Sequence, residues 1–600
     1  MQTPSRTHLI STKWATAQTE YQPMIPTKWH VAPEDAATQQ TLRVSTGLSP
    51  LLCQLLVNRG LTDADRAQAF MRPSLYDLED PYRLYGMDRA IDRLLHALRH
   101  QEAMTVYGDY DVDGVTGTAL LLTFFRELGL HVPYYIPERS SEGYGLNVAA
   151  MHHLADQGIR LLITVDCGIT AVEEVAVARQ LGIDTIITDH HQPPASLPEA
   201  WALLNPHQSA CSYPNKHLCG VGVVFKLITA LRTACREANL FTDRLPNLKR
   251  HLDLVTLGTI ADVMPIRDEN RIIVAHGLRE IEQTRKLGLQ ALRRVSQREG
   301  KPADAGEVGF QLAPRLNAAG RLGSAGQSVA LLTTVDPHEA NELAQVLDRV
   351  NQERRDMQRA IEDAVHERLT RQYGLEPPAA IVLGDDSWHH GIVGIVAARI
   401  AEKYHRPTFL LQIQDGVARG SGRSIPAFDL YRGLQHCAQW LQRYGGHKYA
   451  AGLTMDAAQL PYLQEEFIRY ADDVLDPNDL EPTLDLDAIV HLQDITLGFI
   501  EQMEALAPYG AGNPTPVLGA YNVRIVSTIR RLGQQGQHAK FQVRQESTKL
   551  EVIAFQQADH VQSFAPETPL DIAFTPILNT WQGRYNVELQ LRALRSHPPA

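Results

Sequence analysis

The sequence lacks several features that would assign it at once to a class of protein. No apolar run approaches the roughly 18 residues that a membrane helix needs, so we expect no spanning segment and no membrane partner. Lys and Arg number 57 against 69 Asp and Glu, a net charge of −12, so the chain has no overall basic field. A nucleic-acid partner must therefore be held by local basic patches or by metal ions.

Cysteine is scarce and unpaired in sequence. The six cysteines form no Cys-x-x-Cys pair, which excludes a disulfide scaffold and favours a reducing cytoplasm. Cys167 has no evident activating base, so we interpret it as a small buried thiol. Four further side chains could be read as zinc ligands or as scattered polar residues of a loop: His207, Cys211, His217 and Cys219. Their spacing fits no established zinc pattern, so we favour the loop.

The usual phosphate and nucleophile motifs are also missing. There is no G-x-x-x-x-G-K-[ST] sequence, and Gly220-Val-Gly222 lacks the third glycine of a dinucleotide fingerprint. No nucleophile-elbow pentapeptide indicates Ser-His-Asp chemistry.

What is present indicates several globular domains. The composition is 44% hydrophobic and 21% charged, and 600 residues predict about three to five domains. We expect a disordered tail over residues 1–28, although its first 19 residues, without acids, also resemble a transit peptide. A helical extension should follow over 29–95.

Strands and helices alternate in the next segment, residues 96–335. The predicted elements are strands Met104–Gly108, Val132–Ile136, Leu161–Val165 and Ile183–Thr188, and helices Thr116–Leu128, Asn147–Asp156 and Ala171–Leu181. Continuous apolar strands separated by helices predict an α/β domain with a parallel sheet. Residues 241–370 look mainly helical.

The rest of the chain completes a multidomain α/β architecture. Residues 336–378 predict one long connecting helix, and 379–475 a second α/β domain. After a Pro- and Asp-rich linker, five short strands in residues 477–600 predict a β-barrel of the oligonucleotide-binding (OB) type.

Acidic residues follow three of the predicted parallel strands. Asp109 and Asp111 follow the first strand, Asp166 the third, and Asp189-His190-His191 the fourth. Ligands bind at this edge of open α/β sheets, so these groups should converge. Clustered carboxylates repel one another unless cations neutralise them, and oxygen ligands with imidazoles suit Mn²⁺ or Mg²⁺. Alternatively, each aspartate is only a helix N-cap.

Glycine- and arginine-bearing stretches in the second half could bind phosphate. They are Arg315–Arg321, Ser421-Gly-Arg423-Ser424 and Gly445–Gly452. Arginine binds phosphate as a planar fork, and small residues permit close approach. From these residues Arg315, Arg321, Ser421 and Arg423 are candidate phosphate ligands, although tight helix packing explains the same composition.

Together these motifs resemble those of the DHH phosphoesterase superfamily. The resemblance rests on Gly108–Gly114, Asp166–Gly168, Asp189–His191 and Gly445–Gly452, in that order. Three additions, Pro137–Gly145, Arg315–Arg321 and Pro508–Pro514, are similar to its single-strand-specific 5′→3′ exonucleases. The resemblance covers about Trp29 to the C-terminus and implies a catalytic DHH domain, a DHH-associated domain at 379–475 and a terminal OB domain.

The resemblance also implies which residues act. The metal ligands would be Asp109, Asp111, Asp166, His190 and Asp262, and His191 would lie beside the scissile phosphate. Sequence periodicity alone would not select Asp262, which reads as an exposed loop acid. Phosphate contacts would come from Arg139, Arg321, Gly445, Gly446 and His447. Some members carry His where this chain has Tyr107, so we expect one metal to be held more weakly or completed by water.

The implied function is two-metal hydrolysis of single-stranded DNA in repair and recombination. Two Mn²⁺ or Mg²⁺ ions, bridged by Asp111 or Asp166, would activate a water, and a narrow channel between the two α/β domains would admit one strand. A single-stranded-DNA-binding protein and a helicase are partners implied by the family alone. The alternatives are a phosphodiesterase for oligonucleotides, cyclic dinucleotides or nucleoside bisphosphates, and a non-enzymatic scaffold, which the filled carboxylate positions disfavour.

Overall fold

The computed structural model describes residues 27–139, 142–374, 376–581 and 584–598. The tail expected over residues 1–28 lies outside this range except for its last two residues. In the described part, no helix has both the length and the apolar character needed to cross a membrane. The first elements are strand β1 (Lys28–Val31) and helices α1 (Ala36–Thr46), α2 (Pro50–Asn58) and α3 (Ala64–Met71).

The predicted parallel sheet of the first α/β domain is confirmed. Its elements are α4 (Met87–His100), β2 (Met104–Gly108), α5 (Val112–Glu127), β3 (Tyr134–Tyr135), α6 (Val148–Asp156), β4 (Leu161–Val165), α7 (Val172–Gln180), β5 (Asp184–Thr188) and β6 (Ala202–Leu204). The strand order is β3-β2-β4-β5-β6, all parallel. Strands β2 and β4 are buried along their whole length, as continuous apolar runs predict.

Two elements of this domain differ from the prediction. Strand β3 has two residues rather than five, and it lies at the edge of the sheet, where Pro133 before it cannot donate to a ladder. Helix α5 begins four residues early, because the Asp111 side chain accepts hydrogen bonds from the backbone N–H groups of Asp113 and Gly114 and caps it.

Helices make up the next part of the chain, as predicted. They are α8 (Gly220–Glu237), α9 (Leu252–Ala261), α10 (Asp268–Glu282), α11 (Leu287–Val295), α12 (Ala305–Glu307), α13 (Ala313–Leu322), α14 (Gly326–Thr333) and α15 (Pro337–Tyr373). A π-helical turn, Val308–Leu312, precedes α13. Helix α15 has 37 residues, about 55 Å at the α-helical rise, and confirms the long connecting helix.

The second α/β domain is built on a mixed sheet. Its elements are β7 (Ile381–Asp385), α16 (His390–Tyr404), β8 (Thr408–Gln414), β9 (Val417–Arg423), α17 (Leu430–His436), β10 (Arg443–Gly446), β11 (Ala450–Asp456) and α18 (Leu460–Val474). The strand order is β10-β11-β9-β8-β7, and only β7 and β8 are parallel. Helix α16 covers one face, and α17 and α18 pack on the other.

The C-terminal region confirms the predicted barrel. Its elements are β12 (Thr483–Leu486), β13 (Ala488–Ile489), α19 (Leu497–Glu504), β14 (Leu518–Ile525), β15 (Arg530–Leu532), β16 (His538–Gln545), β17 (Thr548–Ala554), α20 (Ala558–Gln562), β18 (Leu570–Trp581) and β19 (Arg584–Ser596). Five strands run in the order β14-β18-β19-β17-β16, and pairing of β14 with β16 closes the ring. Strand β18 continues past Pro576, because β14 pairs with it only as far as Phe574 and leaves the proline on an open side.

The N-terminal helices do not form a separate extension. Helices α1 to α3 share one hydrophobic core with the barrel, and β1 pairs with β12. Helix α4 instead packs into the core of the first α/β domain. Residues 28–71 therefore pack with the C-terminal barrel, although the two segments lie at opposite ends of the sequence. The expected domain boundary between residues 95 and 96 falls inside α4.

One buried arginine joins the barrel to the first α/β domain. Arg271 on α10 is 2% exposed and donates hydrogen bonds to five backbone carbonyls, those of Phe70, Ala505, Leu506, Ala507 and Pro508. Burial lowers the pKa of Arg271 to about 10. The Ile266 N–H also donates to the carbonyl of Ala511 (2.7 Å), so the Pro508–Pro514 motif is a docking segment between the two domains.

Candidate metal centre

The acidic residues converge as the strand-end pattern predicts. Three groups of potential ligand atoms lie within 4.8 Å of one another: Asp109, Asp111 and Asp166; Asp166, His190 and His191; and Asp113, His190 and Asp262. His190 Nε2 is 3.1 Å from Asp166 Oδ1 and 3.5 Å from Asp262 Oδ2. Asp262 reaches the centre as the C-cap of α9, which packs against α5. That long-range packing is what sequence periodicity could not show.

Three carboxylate oxygens in this centre are buried without a hydrogen bond. They are Asp109 Oδ1, Asp166 Oδ1 and Asp262 Oδ2. Burial and then the charge of Asp111 raise the pKa of Asp109 to about 7, and burial and then Asp113 raise that of Asp262 to about 8. Buried carboxylate oxygens without a hydrogen bond are costly, and divalent cations would satisfy them. The donor set therefore fits Mn²⁺ or Mg²⁺.

Asp189 orients the two histidines that follow it. Its carboxylate accepts hydrogen bonds from the backbone N–H groups of Ile169, His190 and His191 and lies 2.8 Å from His191 Nδ1. Burial opposes protonation of His191, but Asp189 outweighs it and raises the pKa to about 9. Burial lowers the pKa of His190 to about 4 and keeps it neutral. The motif contains Asp189, but strand-end reasoning gave it no separate role.

Asp113 was also missed, although it stands in the first motif. Its buried carboxylate accepts hydrogen bonds from the backbone N–H groups of Gly220 and Val221, the first residues of α8. A Cβ at Gly220 would lie 2.6 Å from Asp166 Cβ. The Gly220-Val-Gly222 stretch therefore brings the start of a helix against the acidic centre.

Tyr107 packs in a hydrophobic core of the first α/β domain. Its ring is fully buried and stacks on Tyr135 with 5.2 Å between centroids. Its hydroxyl donates to the carbonyl oxygen of Gly145 (3.0 Å) and accepts from Asn147 (3.3 Å). Burial raises the pKa of this phenol, which keeps it protonated. Tyr107, which stands where some family members are expected to carry histidine, is therefore a packing residue in this protein.

Arginines from both α/β domains meet beside the carboxylates. Arg139 lies over the Tyr110 ring at 5.2 Å, and Arg321 Nη1 is 3.3 Å from the carbonyl oxygen of Gly391 at the start of α16. Burial and then the neighbouring charge of Arg139 lower the pKa of Arg321 to about 10, and Arg423 adds to this effect. We call Arg139, Arg321 and Arg423 the arginine cluster. Such crowded cations favour an anionic ligand.

Ser421 and the glycine loop lie next to this cluster. A Cβ at Gly394 would lie 3.3 Å from Ser421 Cβ and 3.9 Å from Arg423 Nη2, so both side chains face α16. The register across β9, β11 and β10 sets Ser421, Gly452 and Gly445 in one row. Gly446 has a φ of 139°, which favours glycine, and the His447 N–H donates to the carbonyl of Ala450 (2.8 Å).

The structure also bears on Arg315 and on the four possible zinc ligands. Arg315 does not join the arginine cluster: it donates to Asp348 on α15 (2.8 Å) and to the carbonyl of Gln311, so it holds α13 against the long helix. None of His207, Cys211, His217 and Cys219 belongs to a group of converging ligand atoms among the described residues. All six cysteines are buried and free.

Comparison with known proteins places this architecture in one family. The model of the DHH family N-terminal domain matches residues 103–259, that of the DHHA1 domain 377–473, and that of the RecJ OB domain 486–593. The single-stranded-DNA-specific exonuclease RecJ of Bacillus subtilis is 38% identical over 567 residues, covering 94% of this chain and 70% of that protein. This chain belongs to the RecJ family of exonucleases.

Other RecJ proteins agree in sequence and in structure. The Haemophilus influenzae RecJ exonuclease is 34% identical, covering 90% of this chain and 95% of that protein. A crystal structure of RecJ from Thermus thermophilus in complex with Mn²⁺ superimposes with a TM-score of 0.80 at 32% identity, covering 96% of this chain and 80% of that one. The same Thermus protein has been solved with Mg²⁺.

Proposed function

We propose that this protein is a metal-dependent exonuclease that hydrolyses single-stranded DNA from the 5′ end. The observation that carries the proposal is the set of three buried carboxylate oxygens without a hydrogen bond beside the arginine cluster. Divalent cations would bind the carboxylate oxygens, and a terminal phosphate of the substrate would bind the arginine cluster. The RecJ relatives, named for single-stranded DNA, supply the substrate class.

The residues of the metal centre would have different roles in hydrolysis. Two divalent cations held here would lower the pKa of an attacking water and stabilise the leaving oxygen. Asp109, Asp111, Asp166 and Asp262 offer carboxylate oxygens, and neutral His190 offers Nε2. Asp166 and His190 each belong to two of the three ligand groups, and Asp166, which has two carboxylate oxygens, would help to hold both cations. His191, kept protonated by Asp189, lies beside them and binds the scissile phosphate.

The direction of digestion comes from the arginine cluster. Arg139, Arg321, Arg423 and Ser421 form a pocket for the 5′ phosphate, and the nearby Gly445–His447 segment lets the strand approach the sheet closely. Hydrolysis one residue inward would release a nucleotide and leave a new 5′ phosphate on the remaining strand. The same pocket therefore serves every cycle.

The barrel favours a long substrate over a dinucleotide. A small-substrate phosphodiesterase would need the two α/β domains alone, whereas this chain docks a closed barrel on the first of them through Arg271. Removal of residues 477–600 is not a clean test, because α1 to α3 share the barrel core. Substitutions of surface residues on the barrel are a better test of whether it binds long DNA.

The test is hydrolysis of three labelled substrates by purified protein with Mn²⁺. Early release of labelled mononucleotide from 5′-labelled single-stranded DNA, with duplex DNA intact, is the expected result. Cleavage of a cyclic dinucleotide without attack on the strand would move the protein to the small-substrate class. Asp166→Asn should abolish activity, and exposed Asp156→Asn should not. Bound Mn²⁺ with no hydrolysis would indicate a binding scaffold.

The wider role is proposed in the same way. We place the protein in DNA repair and recombination in the cytoplasm, where six free buried thiols would persist. A single-stranded-DNA-binding protein and a helicase that produces ends are its proposed partners. We divide the chain into residues 72–335, the connecting helix, 379–475, and a barrel unit that joins 28–71 to 477–598.

A further inference from the structure

A floor of small side chains extends from the arginine cluster across the second α/β domain. On the face covered by α16, the row Ser421, Gly452 and Gly445 runs across β9, β11 and β10. Helix α16 covers β8 and approaches Ser421, but leaves Gly445 exposed and Gly452 half-buried. Strands lie about 4.8 Å apart, so the uncovered floor is wide enough for an extended chain.

Two arginines border this floor at the next row. Arg419 is paired across the sheet with Thr454, and Thr454 with Arg443. Side chains two residues apart share a face of a strand, so Arg419 and Arg443 lie on the same face as Ser421 and Gly445. The two rows are about 6.7 Å apart. We call Arg419, Thr454 and Arg443 the arginine row.

Arg419 and Arg443 are both exposed to solvent, and their guanidinium groups are available to bind a ligand. Within the part of the chain that the structure describes, neither the Arg419 nor the Arg443 side chain has a hydrogen bond, an ion pair or a ring contact, although many other arginines do. The acid in the same cross-sheet row, Asp385 on β7, is already paired with Arg368. Among the residues that the structure describes, no carboxylate forms an ion pair with either arginine of the row.

The row is continuous with the proposed phosphate pocket. Arg419 precedes Ser421 by two residues and Arg423 by four on β9, so the three side chains lie on the same face of the strand. Arg423 belongs to the arginine cluster at the metal centre, and Arg419 to the row. A single strand whose 5′ phosphate lies in the cluster and whose scissile phosphate lies at the metal centre would meet Arg419 and Arg443 with the phosphates that follow.

We propose that Arg419 and Arg443 bind the phosphate backbone of single-stranded DNA downstream of the scissile bond, on the glycine floor of the second α/β domain. This rests on the proposed function and adds two contacts to it. The contacts are electrostatic and independent of base identity, because phosphates carry no sequence information. They select for length, since a dinucleotide bound across the cluster and the metal centre has no phosphate beyond the scissile one.

The experiment compares kcat/KM with Mn²⁺ on a long oligo(dT) and on a thymidine dinucleotide over a range of salt. Arg419→Gln and Arg443→Gln should each lower kcat/KM on the long strand roughly fivefold at low salt. Each should also make its logarithmic salt dependence shallower by about 0.7. Dinucleotide cleavage should not change. Arg432→Gln on α17, an exposed arginine on the opposite face of the sheet, is the matched control.

The outcomes separate this inference from the function on which it rests. If the unmodified protein does not cleave the long strand, the proposed function fails. If it does, and both variants keep its salt dependence and its preference for length, the arginine row is not a DNA contact. Equal losses on both substrates would also overturn the inference, because they would place the effect at the metal centre.

Discussion

The Tyr144 hydroxyl lies 3.3 Å from Nδ1 of His191, and the two rings meet edge to face with 5.8 Å between centroids. The same hydroxyl is 3.2 Å from the carbonyl oxygen of Asp166. On its other side, the Tyr144 ring meets Tyr110, over which Arg139 lies. Tyr144 thus connects the histidine beside the metal centre to the arginine cluster, and we expect it to position His191.

Loss of the Tyr144 hydroxyl should slow turnover without weakening substrate binding. Tyr144→Phe keeps the ring against His191 but removes the hydroxyl, so kcat should fall about tenfold, equivalent to about 1.4 kcal/mol, with KM unchanged. Tyr144→Ala should reduce kcat further. Steady-state kinetics on single-stranded DNA would measure both. Tyr134→Phe, which removes a more distant hydroxyl near Gly326, should leave kcat intact, and equal kcat for Tyr144→Phe would refute the role.

The metal-free protein should lose stability as the pH rises. Asp109 and Asp262 have pKa values raised from 3.8 to about 7 and about 8, so between pH 4 and pH 8 the folded state binds protons that the unfolded chain has released. Stability in chelator should therefore fall from pH 5 to pH 8. Mn²⁺ requires deprotonated ligands, so its stabilisation should be greater at pH 8.

Thermal unfolding midpoints at several pH values, with EDTA and with Mn²⁺, would check this prediction. Asp262→Asn removes one of the carboxyl groups whose pKa is raised and should make the pH dependence in EDTA shallower. A midpoint in EDTA that rises from pH 5 to pH 8 would contradict the assigned direction of both pKa values.

The arginine cluster should make the enzyme prefer a 5′ phosphate. Arg321→Gln should reduce the ratio of kcat/KM for 5′-phosphorylated over 5′-hydroxyl strands by roughly tenfold or more, the worth of a hydrogen bond to a charged group. Arg315→Gln is the matched control, because Arg315 pairs with Asp348 away from the cluster. If Arg315→Gln alters the preference as much as Arg321→Gln, the phosphate pocket is wrongly placed.

Removal of Arg271 should separate the barrel from the first α/β domain. Arg271→Ala removes a donor from five backbone carbonyls, of which only those of Leu506 and Pro508 keep a hydrogen bond from Asn513, and this should cost on the order of 3 kcal/mol. We expect a lower unfolding midpoint and faster proteolysis near residues 505–514. Arg271→Lys, with one ammonium, should rescue only part of this. Exposed Arg279→Ala on the same helix should behave like the unmodified protein.

Local sequence determined most helices and strands of the fold, and it determined the edge of the sheet at which the metal centre lies. Short apolar runs such as Leu161–Val165 that alternate with helices predict buried parallel strands, and Asp109 and Asp166 follow two such strands. Because parallel neighbours end at one edge of a sheet, their convergence follows from chain direction alone. The 37-residue helix is equally local, since the segment has Asp336 to cap it and no internal Gly or Pro.

Tertiary structure decided whatever joins distant segments of the chain. Asp262 enters the centre because α9 packs on α5, and Asp113 is fixed by the start of α8, far along the chain. Arg315 and Arg321 share one helix, yet only packing sends the first to α15 and the second to the arginine cluster. Neither periodicity nor composition encodes such pairings, because they depend on which buried faces meet once the domains form.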